Sequence, residues 1–382
     1  MKKTKVMQFI FGLSTGGAET LVKDYAMMSP EDIESVIVII SDENTQKNVQ
    51  TLKNKGISVI SIRRNIKLKK LYNIWKRILF RYMPNLHRKA CAKELSKIIR
   101  SEKPDCIHIH LEMLHYLEAI ILELEGIKLF YTCHNLPSRM FTPREKKIAT
   151  ILIKQYNMKL IALHDEMKEE LNELFSVTNT LTLHNGIDFD KFQEQKTSKS
   201  DARRKLNVST DRYIVGHVGR FQEQKNHDFL IDIFHEVVLR KHEAFLLMVG
   251  MGELKDKMIT KLEGLGLGGK YLCLENRDDI PLIMKAMDVF VFPSKWEGFG
   301  NVLIEAQVSG LRCVISNTIP ESVMLSEQIV GVDLDEEAGR WADIVLDNTI
   351  LNKKIYGDIG QHDMKNVINR LVEEYRGKTI SN

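Results

Sequence analysis

The sequence predicts an α/β protein built from two doubly wound parallel-sheet domains. Three observations predict it. At 382 residues the chain is too long for one ordinary core. Its short apolar runs lack clean period-two alternation and are separated by helical stretches, the pattern of parallel strands covered on both faces. The unit of strand, glycine loop and helix also begins twice, near Val6 and again at Tyr213, with a polar stretch between. The reading places a first domain over 1–184, a hinge and linker over 185–205, a second domain over 206–361 and a closing helix over 362–382. A hydrophobic share of 43% and a charged share of 28% belong to a soluble globular protein.

In the first half, Val6–Phe11 reads as a strand leading into Gly12, Gly16 and Gly17, and then a helix with Leu21, Val22 and Tyr25 on one side. Those glycines are not spaced as a dinucleotide fingerprint. Further strands are expected at Ser35–Ile40, Ser58–Ile62, Cys106–His110, Lys128–Cys133, Leu160–Leu163 and Thr180–Leu183. His134 falls just past the end of a strand, on the side where such sheets bind ligands. His108 and His110 alternate on the strand before, without the carboxylate or cysteine neighbours of a metal site. Five scattered cysteines, several in apolar runs, read as reduced core thiols of a cytosolic protein. The N-terminus has no apolar stretch fit for a signal peptide, and no run approaches about 18 apolar residues, so no membrane span is expected.

Residues 63–103 break the pattern. Fourteen cations, among them Arg63, Lys76, Arg81, Arg88 and Arg100, face only Glu94 and Glu102, with Tyr72, Trp75 and Tyr82 interleaved. Basic amphipathic helices of this kind can lie on an anionic membrane surface or beside a lipid diphosphate. They can equally be solvated helices on an ordinary sheet. No recognition motif accompanies the charge, so nucleic acid is not an expected partner.

The second half opens with a strand at Tyr213–Val218, then Gly219-Arg220 and, five residues on, Lys225-Asn226. Two cations bracketing a loop before a helix can neutralise a diphosphate, Arg by its fork and Lys by compact charge. A second glycine loop, Gly250-Met-Gly252, follows Leu246–Val249. Asp278 and Asp279 precede Pro281 and read as a helix-capping pair. The stretch that organises the rest is Val289–Gly310: a buried strand, a loop with Glu297, Gly298 and Gly300, and a helix expected to start with Asn301 as its cap and to stop at Gly310. Main-chain amides from Gly298 through Phe299, Gly300 and Asn301 to Val302, at a helix N-terminus, can hold a phosphate. Glu297 and Glu305 beside them can accept from hydroxyls. A nucleotide sugar satisfies both requirements.

Glu297 and Glu305 with Gly-Phe-Gly between them resemble the signature of the family-four retaining glycosyltransferases with the GT-B fold, two Rossmann-like domains facing a cleft. Other family pieces recur in order: Gly16-Gly17-Ala-Glu, His134, Asn185-Gly-Ile-Asp188 at the hinge, the Gly219–Asn226 motif and the Asn276-Arg277 loop. Thr318–Glu321 departs from it, where two glycines are usual. The resemblance implies a nucleoside-diphosphate sugar as donor, expected to be a UDP-sugar, no metal or other cofactor, and transfer with retention to a saccharide or polyprenyl-diphosphate-linked acceptor in bacterial surface polysaccharide synthesis. It implies catalytic roles for Arg220, Lys225, Glu297 and His134. Donor contacts would come from Gly16, Gly17, Gly219, Gly250, Asn276, Arg277 and the Glu297–Glu305 region, with Glu305 gripping ribose and Glu297 orienting the sugar. It also implies a last helix crossing back onto the first domain. A cytoplasmic enzyme, peripheral on the inner membrane face, is the matching location. The competing readings are another sugar-phosphate enzyme of the same fold and a non-catalytic membrane-surface scaffold.

Overall fold

The computed structural model describes residues 3–14, 16–41, 47–62, 84–193, 197–349 and 357–377. The chain forms two compact units, Met1–Gly186 with Met364–Asn382, and Ile187–Asp363.

In the first unit seven parallel strands run β1 (Thr4–Ile10), β2 (Ile33–Ile39), β3 (Ser58–Ser61), β4 (Cys106–His110), β5 (Lys128–Thr132), β6 (Lys159–Ala162) and β7 (Leu181–Thr182). Their order is β3-β2-β1-β4-β5-β6-β7, with Met7 level with both Val36 and Ile107. β1 is central, and Val6, Met7, Phe9 and Ile10 are wholly buried, as expected of a strand covered on both faces. The direction of winding reverses between β1 and β4, so the loops after those strands mark the ligand side. The last helix, Met364–Arg376, belongs to this unit. Its stripe of Met364, Val367, Ile368, Leu371, Val372 and Tyr375 recurs at helical spacing and packs on Val6, Leu21, Cys106 and Phe130.

The second unit holds β8 (Tyr213–Val218), β9 (Ala244–Val249), β10 (Tyr271–Leu274), β11 (Val289–Phe292), β12 (Arg312–Ser316) and β13 (Ile329–Val332), in the order β10-β9-β8-β11-β12-β13. Helix His227–Arg240 covers one face through Leu230, Ile231, Phe234, Val237 and Val238. Helix Ala338–Leu346 seals the same core with Trp341, whose indole N–H donates to the Asp333 carbonyl at 2.9 Å.

Three expectations change. The polar run 185–205 belongs to the second unit from Ile187 onward, and Lys199–Lys205 is a docked helix rather than a loose linker. Arg203 holds it there: its guanidinium, 5% exposed, donates to the carbonyls of Ala286, Thr210 and Arg212 and pairs with Asp288 at 2.6 Å. Polar composition hid a buried side chain that is satisfied on every side. Of the basic segment, 63–83 lies outside the described residues. The remainder is helix Pro84–Glu102, which buries Cys91, Ala92, Leu95, Ile98 and Ile99 and carries its cations on the opposite side, with Arg100 paired to Glu123. That half is an amphipathic helix whose apolar side is buried. The third concerns β13 and helix Ala338–Leu346, which the sequence reading did not pick out. The five cysteines form no disulfide. Among the described residues no helix is long and apolar enough to cross a membrane.

Candidate active site

In the second unit the winding reverses between β8 and β11, the switch point outside whose carboxyl strand ends sheets of this kind bind ligands. Lys225 comes from the first loop, after β8, and Glu297 from the second, after β11. Their Nζ and Oε1 atoms meet at 2.6 Å, with side chains only 16% and 6% exposed. The Lys225 ammonium also sits 4.5 Å from the centre of the Phe292 ring, a cation–π contact in a partly dry setting. Gln224 adds a second tie between the loops, donating to the Trp296 carbonyl at 3.0 Å and to Glu297 Oε2 at 3.2 Å. Lys225 and Glu297, read from the sequence as separate ligands for diphosphate and sugar, are thus one ion pair in this structure.

The backbone beneath is shaped by glycines at two places. Gly250 lies so close to the first loop that a Cβ there would stand 1.9 Å from the Gly219 carbonyl oxygen. Phe221, fully buried, pins the loop further by exchanging main-chain hydrogen bonds with Met251 and Leu254, which leaves its neighbour Arg220 exposed. The substitution Gly250→Ala, which pits a methyl group against rigid backbone, is expected to destabilise the second unit by about 1–3 kcal/mol in chemical denaturation. An unchanged midpoint would mean that the two loops are not locked together.

Gly300 has φ of +82°, a conformation that glycine adopts without strain, and it caps helix Asn301–Val308. Asn301 is therefore the first helical residue rather than the cap, and Gly300 in the cap position supplies no side-chain bond. Gly310, at φ +73°, follows the helix end as expected. The first-turn amides at Asn301 and Val302 have no carbonyl four residues back within the helix. Glu305 is partly buried on the second turn. Phe299, 2% exposed, stacks on His362 with ring centres 5.2 Å apart, so its side chain serves packing. Ser316 and Thr318 both donate to the Ser294 carbonyl, bracing the base of the loop from the segment that departs from the family's glycines.

At the end of β10, Asn276 takes a left-handed turn with φ of +50°. The adjacent Arg277 forms a two-point ion pair with Asp279. Asp279 occupies the cap position of helix Ile280–Ala286 but makes no capping hydrogen bond, because its carboxylate is spent on that guanidinium. The expected capping pair is corrected accordingly.

Two residues that sequence reasoning missed lie under the first loop. His217 is fully buried on β8 and donates from Nδ1 to the Val291 carbonyl at 2.9 Å. His227, 2% exposed, stacks on Phe221 at 4.2 Å and meets His217 edge-on at 4.6 Å. Burial, with the Lys225 charge adding to it, pulls His217 down to about 4 and His227 to about 2, so both are neutral. They are a polar-tipped aromatic floor, and a single histidine in each of two separate stretches carries no motif by which to find it.

The remaining expected site residues lie in the first unit. Gly16 precedes helix Gly17–Met28 and accepts at its carbonyl from Thr20 N–H at 2.9 Å. His134 follows β5, partly exposed, and its Nε2 lies 2.9 Å from His110 Nδ1. Both strand histidines, His108 and His110, are wholly buried. Burial lowers the pKa of all three, His108 to about 3.

Residues 15–191 match the model for Glycosyltransferase Family 4, and residues 198–345 match that for Glycosyl transferases group 1. Over 248 residues the chain is 29% identical to the UDP-Gal:alpha-D-GlcNAc-diphosphoundecaprenol alpha-1,3-galactosyltransferase of Escherichia coli, covering 62% of this chain and 64% of that protein. It is 27% identical to the capsular polysaccharide biosynthesis glycosyltransferase CapM of Staphylococcus aureus over 47% of this chain and 52% of the relative. The matches thus span somewhat less than two-thirds of these relatives' lengths. Among solved structures, Anabaena Alr3699/HepE in complex with UDP and glucose superposes with a TM-score of 0.74 at 18% identity, covering 98% of this chain and all of that one, which establishes the shared GT-B fold. With both units matched in order, the chain belongs to the group 1, family 4 glycosyltransferases of GT-B fold.

Proposed function

We propose that this protein transfers a sugar from a UDP-sugar, with retention of anomeric configuration, to a hydroxyl of a lipid-linked saccharide during synthesis of a bacterial surface polysaccharide. The observation that carries the reading is the Lys225–Glu297 pair set at the point where the winding of the second sheet reverses, against the amino end of helix Asn301–Val308. A diphosphate leaving group develops charge as the glycosidic bond breaks. Lys225, the exposed Arg220 and the amides of Gly298–Val302 are the groups suited to meet it. As a phosphate approaches, Lys225 can pivot its charge toward it while Glu297, released from full pairing, accepts from sugar hydroxyls. Glu305 on the next turn suits the ribose. His134 belongs to the acceptor and sugar side of the reaction. The UDP carried by Alr3699/HepE and the UDP-galactose and lipid diphosphate in the name of the Escherichia coli relative support the choice of base and acceptor class. The binding of the membrane surface rests on the basic segment alone.

The test is a donor screen. At a hundredfold excess over its dissociation constant, a ligand of the folded state adds about 2.7 kcal/mol of stability, so UDP and the correct UDP-sugar should raise the melting temperature by several degrees. GDP and ADP compounds should not. With the right donor and a short-chain lipid diphosphate saccharide, proton NMR of the new anomeric centre should show the donor's configuration. Flat melting across all three nucleotide series would count against the assignment, and an inverted product against retention.

A further inference from the structure

A second polar assembly runs through the first unit and is not needed to bind a nucleotide. His110 Nε2 lies 2.8 Å from Gln8 Oε1, Gln8 Nε2 donates to the Tyr375 hydroxyl at 3.1 Å, that hydroxyl lies 2.6 Å from His108 Nδ1, and His108 Nε2 lies 2.7 Å from Thr132 Oγ1. With His110 Nδ1 at 2.9 Å from His134 Nε2, six side chains are joined end to end. All but His134 are 2% exposed or less, so water offers them no alternative partners. Each link then needs one donor and one acceptor, and the Gln8 amide sets the direction. Its oxygen requires a proton on His110 Nε2, which makes His110 Nδ1 an acceptor and requires a proton on His134 Nε2. On the far side the Gln8 amide nitrogen occupies the Tyr375 oxygen, so the phenol donates to His108, and His108 donates to Thr132.

We infer that Gln8, His110 and Tyr375 are positioning residues that hold His134 as its Nε2–H tautomer, so that the nitrogen left for a ligand, Nδ1, is an acceptor that selects a hydroxyl and turns away a phosphate oxygen. Tyr375 stands on helix Met364–Arg376 and Gln8 on β1, so residues 367 positions apart define the state of one ring. The inference deepens the transferase reading, on which the identity of the hydroxyl as a sugar's rests. The tautomer itself does not depend on that reading.

The experiment uses the full chain labelled with 15N-histidine, observed by long-range imidazole 1H–15N correlation, with His134→Gln supplying the assignment. The wild type should show His134 protonated at Nε2 and unprotonated at Nδ1. Tyr375→Phe deletes one oxygen and Gln8→Met removes the amide. In either variant His134 should lose the single-tautomer pattern, and kcat with the UDP-sugar should fall about three- to tenfold, the loss of roughly one hydrogen bond, while KM for the donor stays within about twofold. If Gln8→Met fails to fold, Tyr375→Phe alone decides. A wild-type proton on His134 Nδ1, or an unchanged His134 pattern in a folded Tyr375→Phe, overturns the inference. If the tautomer behaves as described while no donor is turned over, the relay stands and the transferase reading fails.

Discussion

Lys225→Met is expected to cost both rate and stability, each by a large margin. The methionine leaves the Glu297 carboxylate, 6% exposed, without its counter-ion. Breaking one side of a pair this buried destabilises by about 3–5 kcal/mol. The rate of UDP release from the donor should fall about 10²–10³-fold, the usual consequence of removing one group that meets charge developing in the transition state. The two effects can be separated. In Lys225→Met combined with Glu297→Gln no charge is stranded, so thermal melting should return most of the way to wild type, while the rate stays low. A single variant that keeps its rate within about threefold would make Lys225 an internal partner of Glu297 and nothing more. Melting that does not recover in the double variant would remove the ion pair from the account of stability.

Mild acid should loosen the second unit well before its carboxylates protonate. His217 and His227 hold pKa values near 4 and 2 when folded, because burial disfavours the charged ring. Unfolded, both return to about 6.5. Between those limits the unfolded chain binds more protons than the native one, so stability rises with pH. The contribution is fully present above about pH 6.5 and is lost as pH falls towards the folded values. At about pH 5.5 each ring accounts for about 1.4 kcal/mol, so the pair costs about 3 kcal/mol. Denaturant titrations from pH 7.5 to 5 should show this slope, and His227→Phe should roughly halve it. Neither nitrogen of His227 has a hydrogen-bond partner among the described residues, so phenylalanine loses no such bond there. A slope untouched by that change would assign the acid sensitivity elsewhere.

Much of the donor side was legible because its demands are local. A phosphate-holding loop needs glycine where backbone approaches backbone, and Gly219 and Gly300 announce themselves at short spacing from Lys225 and Glu297. The strands Tyr213–Val218, Val289–Phe292 and Cys106–His110 were readable to the residue, each beginning directly after a charged residue, Arg212, Asp288 and Asp105. What could not be read depends on contacts the chain makes only once folded. Gln8 and Tyr375 stand 367 positions apart, and nothing near either one signals a hydrogen bond. The joining of Lys225 to Glu297 is of the same kind: each residue type was legible, their mutual neutralisation was not. Asn301 looked like a cap because asparagine favours that position, yet Gly300 already turns the chain there by its left-handed backbone. Arg203 read as linker because charge in a polar run has no outward sign of burial. β13 is four residues long with a glycine inside, too brief to carry a period.

The first unit takes its residues from both ends of the chain, and this sets a timetable for synthesis. A ribosome delivers residues 187–363 in full before Met364 leaves the tunnel. The later-made unit is therefore the first to possess every residue of its own core. During that interval Val6, Leu21, Cys106 and Phe130 must wait without the helix that will cover them. The nascent chain thus carries an open apolar seam while residues 187–363 are made, and that seam closes only when Met364–Arg376 emerges.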